Sequence, residues 1–311
     1  MTTLKWLASA SLAFVLLPAA LFSTLRAESH CPGNVASIRP RFVERSIVIV
    51  PVMLNGSGPY DFVLDTADQV TIVDPALAAE LHLASQGITH VIGISTYTQA
   101  SYAQAESLQT GAHAVKNMLL LITNLGQEQV TDPRIRGILG SNFLGHFDLL
   151  IDYAQGLVCL DDTKQMREKV KGAHIELVAP PPHPERNLSF TQPLVVPVRV
   201  SGFGERPLSL QLDSGSNAAI LFNVQKQLLQ WQSVSAPLTA RGPDGLVSAF
   251  AALQLQDIQV GPHSLQRISF VTPVSNGKNA LRKPDVDGVL PTALFRRTFI
   301  SFTDHFVVLT P

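Results

Sequence analysis

Two aspartates each close a hydrophobic run and are each followed by a small hydroxyl residue and a residue of minimal bulk. They read Phe62-Val63-Leu64-Asp65-Thr66-Ala67 and Leu210-Gln211-Leu212-Asp213-Ser214-Gly215. Two carboxyl groups brought side by side cannot both ionise easily, so they share one proton and act as acid and base together. One then takes a proton from a water attacking a carbonyl carbon while the other protonates the carbonyl oxygen. Asp65 and Asp213 are the candidate catalytic pair, and the scheme calls for no metal, no other cofactor and no covalent intermediate.

An isolated Asp-Ser-Gly is ordinarily a turn; the repetition around it separates this one from the ordinary case. Val50-Pro51-Val52 and Val196-Pro197-Val198 each open a strand that runs into a glycine turn, Asn55 to Gly58 in one half and Ser201 to Gly204 in the other. Downstream, Gly137-Ile138-Leu139-Gly140 answers Gly288-Val289-Leu290-Pro291. Closing strands follow both, at Leu149 to Tyr153 with Leu157 to Leu160, and at Phe299 to Phe302 with Phe306 to Leu309. The landmarks keep their order and nearly their spacing, so an internal duplication is the simplest account. Helical patterns are few: Pro75 to Leu83 behind Asp74, and Asn223 to Trp231, at matching places after each aspartate.

On these residues the chain resembles the bacterial retropepsin-like aspartyl proteases, with two family units fused in one polypeptide on a plan similar to pepsin. The resemblance spans about Ser46 to Leu309. It implies an all-β fold of two similar acid-protease barrel lobes with a few short helices and a cleft between them. It also implies that Thr66, Ala67, Ser214, Gly215 and Ser216 form the loops supporting the aspartates, the two hydroxyls bonding across to the partner loop, and that Gly137, Gly140 and Gly288 pack behind those loops. A peptide or protein is the implied substrate. Flap hairpins are expected over Gly93 to Ala103 and Arg241 to Phe250; within the first, Tyr97 and Tyr102 read as strand residues with their hydroxyls in water.

Departures from the family pattern concern the first loop. Ala67 stands where glycine is usual, and Asp68 where alanine or serine is. A third carboxylate there repels an ionised pair unless it turns to solvent or to a partner. Ser216 is expected to donate a hydrogen bond to the Asp213 carboxylate. Three readings follow: an aspartic endopeptidase, a fold of the same type that binds a peptide or cell-envelope ligand without catalysis, and a purely structural envelope component.

The remaining features bound the setting. With 46% hydrophobic and 15% charged residues in 311, the chain can bury two cores. A net charge of -1 leaves no footprint for nucleic acid. Nine histidines lack metal-ligand spacing. Residues 1–27, with Lys5 ahead of an apolar run from Leu7 to Phe22, read as a signal peptide, so a periplasmic or secreted protein with no stable membrane span is expected; an uncleaved anchor is the alternative. Lobes are expected over 40–162 and 187–311, joined by a linker over 163–186 that ends in Pro180-Pro181-Pro182-His183-Pro184 and keeps the lobes from sharing one continuous sheet through it. Cys159 reads as a small buried hydrophobe and Cys31 as part of a mobile leader, with a disulfide between them as the alternative. Both aspartates lie in one chain, so a monomer suffices.

Overall fold

A computed structural model describes residues 30–92, 97–178, 193–222, 224, 238–241, 245, 247–274 and 286–311. The expected signal peptide, the proline run and, but for Val224, the helix expected from Asn223 lie outside these residues.

The strands of the first half are β1 (Ser37–Ile38), β2 (Arg41–Val43), β3 (Ile47–Leu54), β4 (Ser57–Leu64), β5 (Ile72–Val73), β6 (Gly87–Ile92), β7 (Tyr97–Thr110), β8 (His113–Ile122), β9 (Ile135–Leu139), β10 (Asp148–Asp152) and β11 (Leu157–Asp161). Those of the second are β12 (Ile175–Glu176), β13 (Val195–Val200), β14 (Leu208–Asp213), β15 (Ala219–Leu221), β16 (Leu238–Arg241), β17 (Val247–Ala252), β18 (Gln256–Val260), β19 (His263–Ile268), β20 (Phe270–Pro273), β21 (Gly288–Pro291), β22 (Arg297–Ser301) and β23 (Phe306–Thr310). Among the described residues four short α-helices accompany them: α1 (Pro75–Glu80), α2 (Gln127–Thr131), α3 (Ser141–Leu144) and α4 (Gln165–Lys169).

Apolar residues on both faces explain why β3 lies inside. Val48, Val50, Val52 and Leu54 point into one core, while Ile47 and Ile49 point into another with Val63, Ile72 and Ile138. Asn55 and Gly56, with φ of 50° and 77°, supply the left-handed pair that a tight hairpin into β4 requires. The helix expected from Pro75 forms with Asp74 as its cap, whose carboxylate accepts from the Leu77 amide at 2.9 Å. It ends at Glu80 rather than Leu83, because His82 takes a left-handed φ of 52°.

The duplication read from the sequence is present in the sheets. The first lobe's order β3-β4-β9-β5-β8-β7-β6 is repeated in the second as β13-β14-β21-β15-β20-β17-β16. In both, the aspartate strand pairs in parallel with the glycine strand, Phe62 facing Gly137 and Leu210 facing Gly288. Each glycine thus lies opposite the residue three before its aspartate.

Two expectations are corrected here. The lobes do share a continuous sheet, β1-β11-β10-β22-β23-β12, in which β10 and β22 pair across the halves and β12, from the expected linker, adds an edge strand. Proline near residue 180 does not prevent this, because the joining strands are far from it in sequence. Second, Cys31 and Cys159 form a disulfide. Pairing of β1 with β11, Ser37 opposite Cys159, folds the N-terminal segment back so that Cys31 packs among Leu150, Met166 and Phe299. A two-residue strand carries no periodicity, so nothing local announced it.

Candidate active site

Each aspartate sits at the end of a buried parallel strand pair, where the chain leaves the sheet and turns. The Asp65 amide donates to the Leu139 carbonyl at 3.0 Å, and Asp213 is the last residue of β14, opposite Pro291. The two ends are tied by a reciprocal set of bonds. Thr66 N donates to Ser214 Oγ and Ser214 N to Thr66 Oγ1, both at 3.1 Å; Thr66 Oγ1 donates to the Leu212 carbonyl at 3.0 Å and Ser214 Oγ to the Leu64 carbonyl at 2.7 Å. Thr66 and Ser214 are each only 1% exposed, so water cannot substitute for these bonds. Ser214→Ala leaves the Thr66 amide and the Leu64 carbonyl buried without partners, and is expected to cost about 2 kcal/mol or more. A fall in the urea midpoint at unchanged m checks this.

With the loops locked, the Asp65 and Asp213 carboxyls are close enough to act on each other's ionisation. Asp65 Oδ1 accepts from the Ala67 and Asp68 amides at 2.7 and 3.1 Å, and Asp213 Oδ1 from Gly215 at 2.7 Å. Burial raises both, and Asp213 is raised further by the Asp65 charge beside it, so the pair retains one proton well above the ordinary carboxylate range. The arrangement can therefore offer a base and an acid on one water.

The flanking residues are placed as follows. A β-carbon on Gly215 would lie 2.1 Å from Asp65 Oδ2, so only glycine admits the opposite carboxyl. Ala67 occupies the corresponding place in the first loop, with its carbonyl held by Gln211 Nε2 at 3.0 Å from across the lobes. Gly137 leaves room for the Phe62 ring, Gly288 for the Ile220 carbonyl and Gly140 for Val70. Gly140 then leads into α3, where Ser141 N donates to the Asp68 carbonyl at 2.7 Å and Asn142 Oδ1 accepts from both Thr71 N and Thr71 Oγ1 at 2.8 Å. Ser216 departs from expectation. Its hydroxyl donates to the Ala218 carbonyl at 2.9 Å rather than to Asp213, because the short side chain closes its own turn.

Asp68 is half-buried beside Asp65, its amide donating to Asp65 Oδ1, and burial together with the Asp65, Glu128 and Asp213 charges raises its carboxyl well above the ordinary range. A neutral Asp68 does not repel the pair, which removes the conflict that an ionised one would create.

Glu128, in the first turn of α2, is a residue that sequence reasoning missed. Burial first, and the nearby Asp65 charge, push it up to about 7. It lies in a polar run, Gly126-Gln127-Glu128-Gln129, with nothing local to mark it. Of the expected flaps, 93–96, 242–244 and 246 lie outside the described residues; the flanking strands form hairpins, β6 with β7 and β16 with β17. Tyr102 is half-buried, its ring lying against Gly87.

These carboxyls set a pH dependence of stability. Asp68, Glu128 and Asp213 bind protons more tightly folded than unfolded, so stability is full below the ordinary carboxylate range and is lost as pH rises through the raised values. For Glu128 the loss runs from about 4.5 to about 7. Asp132, held low by Arg134 and Arg41, has the opposite sign and acts below that window. The unfolding midpoint is expected to fall as pH rises from about 4.5 to about 7, and Glu128→Gln to flatten that fall. Urea titrations at a series of pH values read this directly.

Residues 50–143, which include Asp65, Thr66, Ala67, Gly137 and Gly140, match the family model described as aspartyl protease. That stretch is therefore similar to the aspartyl protease family, and the second half of the chain repeats the strand order around it. Among solved structures, a retropepsin-like aspartic protease from Rickettsia conorii is similar at 17% identity over 40% of this chain and 88% of that one, with a TM-score of 0.31. An aspartic proteinase from Irpex lacteus is similar at 10% identity over 89% of this chain and 97% of that one, with a TM-score of 0.48. No curated protein matches the chain.

Proposed function

We propose that this chain is an aspartic endopeptidase, hydrolysing peptide bonds with a water activated between Asp65 and Asp213. The observation that carries the reading is the reciprocal bonding of Thr66 and Ser214, which ties together the ends of the two strands that carry Asp65 and Asp213. The ionised carboxylate takes a proton from the water as its oxygen bonds to the peptide carbon, and the protonated carboxyl gives its proton to the carbonyl oxygen. The tetrahedral species then returns a proton to the nitrogen, the C–N bond breaks, and an acid and an amine leave.

An extended peptide is the substrate, held between the lobes by backbone hydrogen bonds and side-chain pockets. A single chain supplies both aspartates, so it works as a monomer. The Cys31 to Cys159 disulfide favours an oxidising compartment and supports export to the periplasm or beyond. The alternative, a peptide- or envelope-binding protein without catalysis, draws on Asp68 and Ala67 in the first loop. Cleavage of a mixed peptide library from acidic to neutral pH, blocked by a transition-state-mimicking inhibitor, supports the protease; binding without cleavage by the folded chain supports the alternative.

A further inference from the structure

The internal repeat makes Tyr153 and Phe302 counterparts. Each follows the last residue of a strand in the shared sheet, β10 in one half and β22 in the other, and each opens the turn to the next strand. Gly156 and His305, with φ of 68° and 53°, close these turns at matching places. Phe302 ends in a bare ring, whereas Tyr153 carries a hydroxyl. That hydroxyl crosses to the second lobe and meets Thr292 Oγ1 at 2.6 Å.

Thr292 is the residue after β21, whose last position, Pro291, lies opposite Asp213 in the parallel pair with β14. It is 0% exposed, and its carbonyl accepts from Thr298 Oγ1 at 3.3 Å. Tyr153 is fixed at the other end: its amide donates to the Arg296 carbonyl at 2.9 Å, and its ring centre lies 5.6 Å from that of Phe42. Burial raises the pKa of the Tyr153 hydroxyl and the Asp213 charge raises it further, so the hydroxyl stays protonated and neutral. Thr292 has no water to turn to if this bond is lost, so the bond holds its geometry.

The first lobe braces its aspartate differently. Ser141, the counterpart of Thr292 after Gly140, donates its hydroxyl to the Thr66 carbonyl at 3.2 Å, within its own lobe. The amides that hold the two carboxyls match, Ala67 on Asp65 Oδ1 and Gly215 on Asp213 Oδ1, both at 2.7 Å. The difference between the loops therefore lies behind them: one is supported from inside its lobe, the other from the opposite lobe through the end of β10.

We propose that Tyr153 is a positioning residue for Asp213, acting through Thr292 and tying the placement of that one aspartate to the sheet that the lobes share. Its effect on rate rests on the protease reading; its effect on the loop does not.

The test uses the full-length chain with Tyr153→Phe, Thr292→Val and the double substitution. In each, kcat should fall by about ten-fold or more with KM within about two-fold, since a misplaced reacting carboxyl is costly while substrate contacts are untouched. The double variant should lose no more than the worse single one, because both remove the same bond. Thr292→Ser, which keeps the hydroxyl, should recover most of what Thr292→Val loses. Native-state hydrogen exchange supplies an arm that needs no turnover: in Tyr153→Phe the Gly215 amide is expected to exchange about ten-fold faster while the Ala67 amide keeps its rate. A merely structural role would speed both. If the unmodified chain cleaves nothing yet the variant shows this one-sided exchange, the protease reading falls and the positioning of Asp213 by Tyr153 stands. Equal acceleration at both amides, unchanged exchange at Gly215, or an unchanged kcat in an active chain would overturn the inference.

Discussion

Asp213→Asn is expected to abolish peptide cleavage, lowering kcat by about 10⁴-fold or more while the fold persists. Asparagine keeps the shape and can still accept from the Gly215 amide, which now meets Asp213 Oδ1 at 2.7 Å. It can neither share a proton with Asp65 nor deliver one to a carbonyl oxygen, so the acid and base functions fail together. Asp65→Asn should be equally inactive, because in a coupled pair neither member works alone. Both variants should stay folded, since the Thr66 and Ser214 bonds do not involve the carboxyls, and Asp213→Asn should raise the unfolding midpoint at pH values above the ordinary carboxylate range, where the raised Asp213 carboxyl costs the unmodified chain stability. Residual cleavage within about ten-fold of the unmodified chain would remove the pair from the mechanism.

Gly215→Ala is the second large effect. The added methyl would fall 2.1 Å from Asp65 Oδ2 and 2.6 Å from its Cγ, so either the Asp65 carboxyl rotates or the second loop withdraws. Both outcomes break the alignment, and a misplacement of about 1 Å at a reacting group costs about 10²-fold in rate. The loss should appear in kcat rather than KM, because Gly215 presses on a catalytic carboxyl. Unchanged kcat in the Gly215→Ala protein would mean that the two carboxyls need not be as close as the folded chain holds them. The comparison with the first loop is informative: Ala67 carries the methyl that Gly215 must lack, so the two loops are not equivalent despite their common strand order.

Much of this was legible because it is periodic or repeated. The two aspartate runs, the valine-proline-valine strands and the glycine strands recur in order, and a recurring order of apolar strands and turns is enough to specify two similar β lobes. The register of Gly137 against Phe62 and of Gly288 against Leu210 follows from the same repeat. The crossing of the Thr66 and Ser214 hydroxyls between the loops was what the family resemblance implied, and the folded chain makes it. Asp74 followed by proline likewise marked the start of α1.

Other features depended on encounters between distant segments. The disulfide required β1 to pair with β11, and the common sheet required β10 to find β22, neither of which leaves a local pattern. Ser216 spent its hydroxyl on Ala218 because a nearby acceptor within its own turn was available first. Asp68 looked like a charge that must escape to water, yet the folded chain keeps it beside the pair with its carboxyl raised well above the ordinary range. Glu128 was indistinguishable from a solvated glutamate until folding brought its charge within reach of both aspartates. Residue order alone specifies the repeated apolar strands and the two carboxyls that end them, because burial patterns are written in it. Which charges meet is settled on folding, because electrostatic coupling depends on distance and dielectric, and neither is a property of a linear chain.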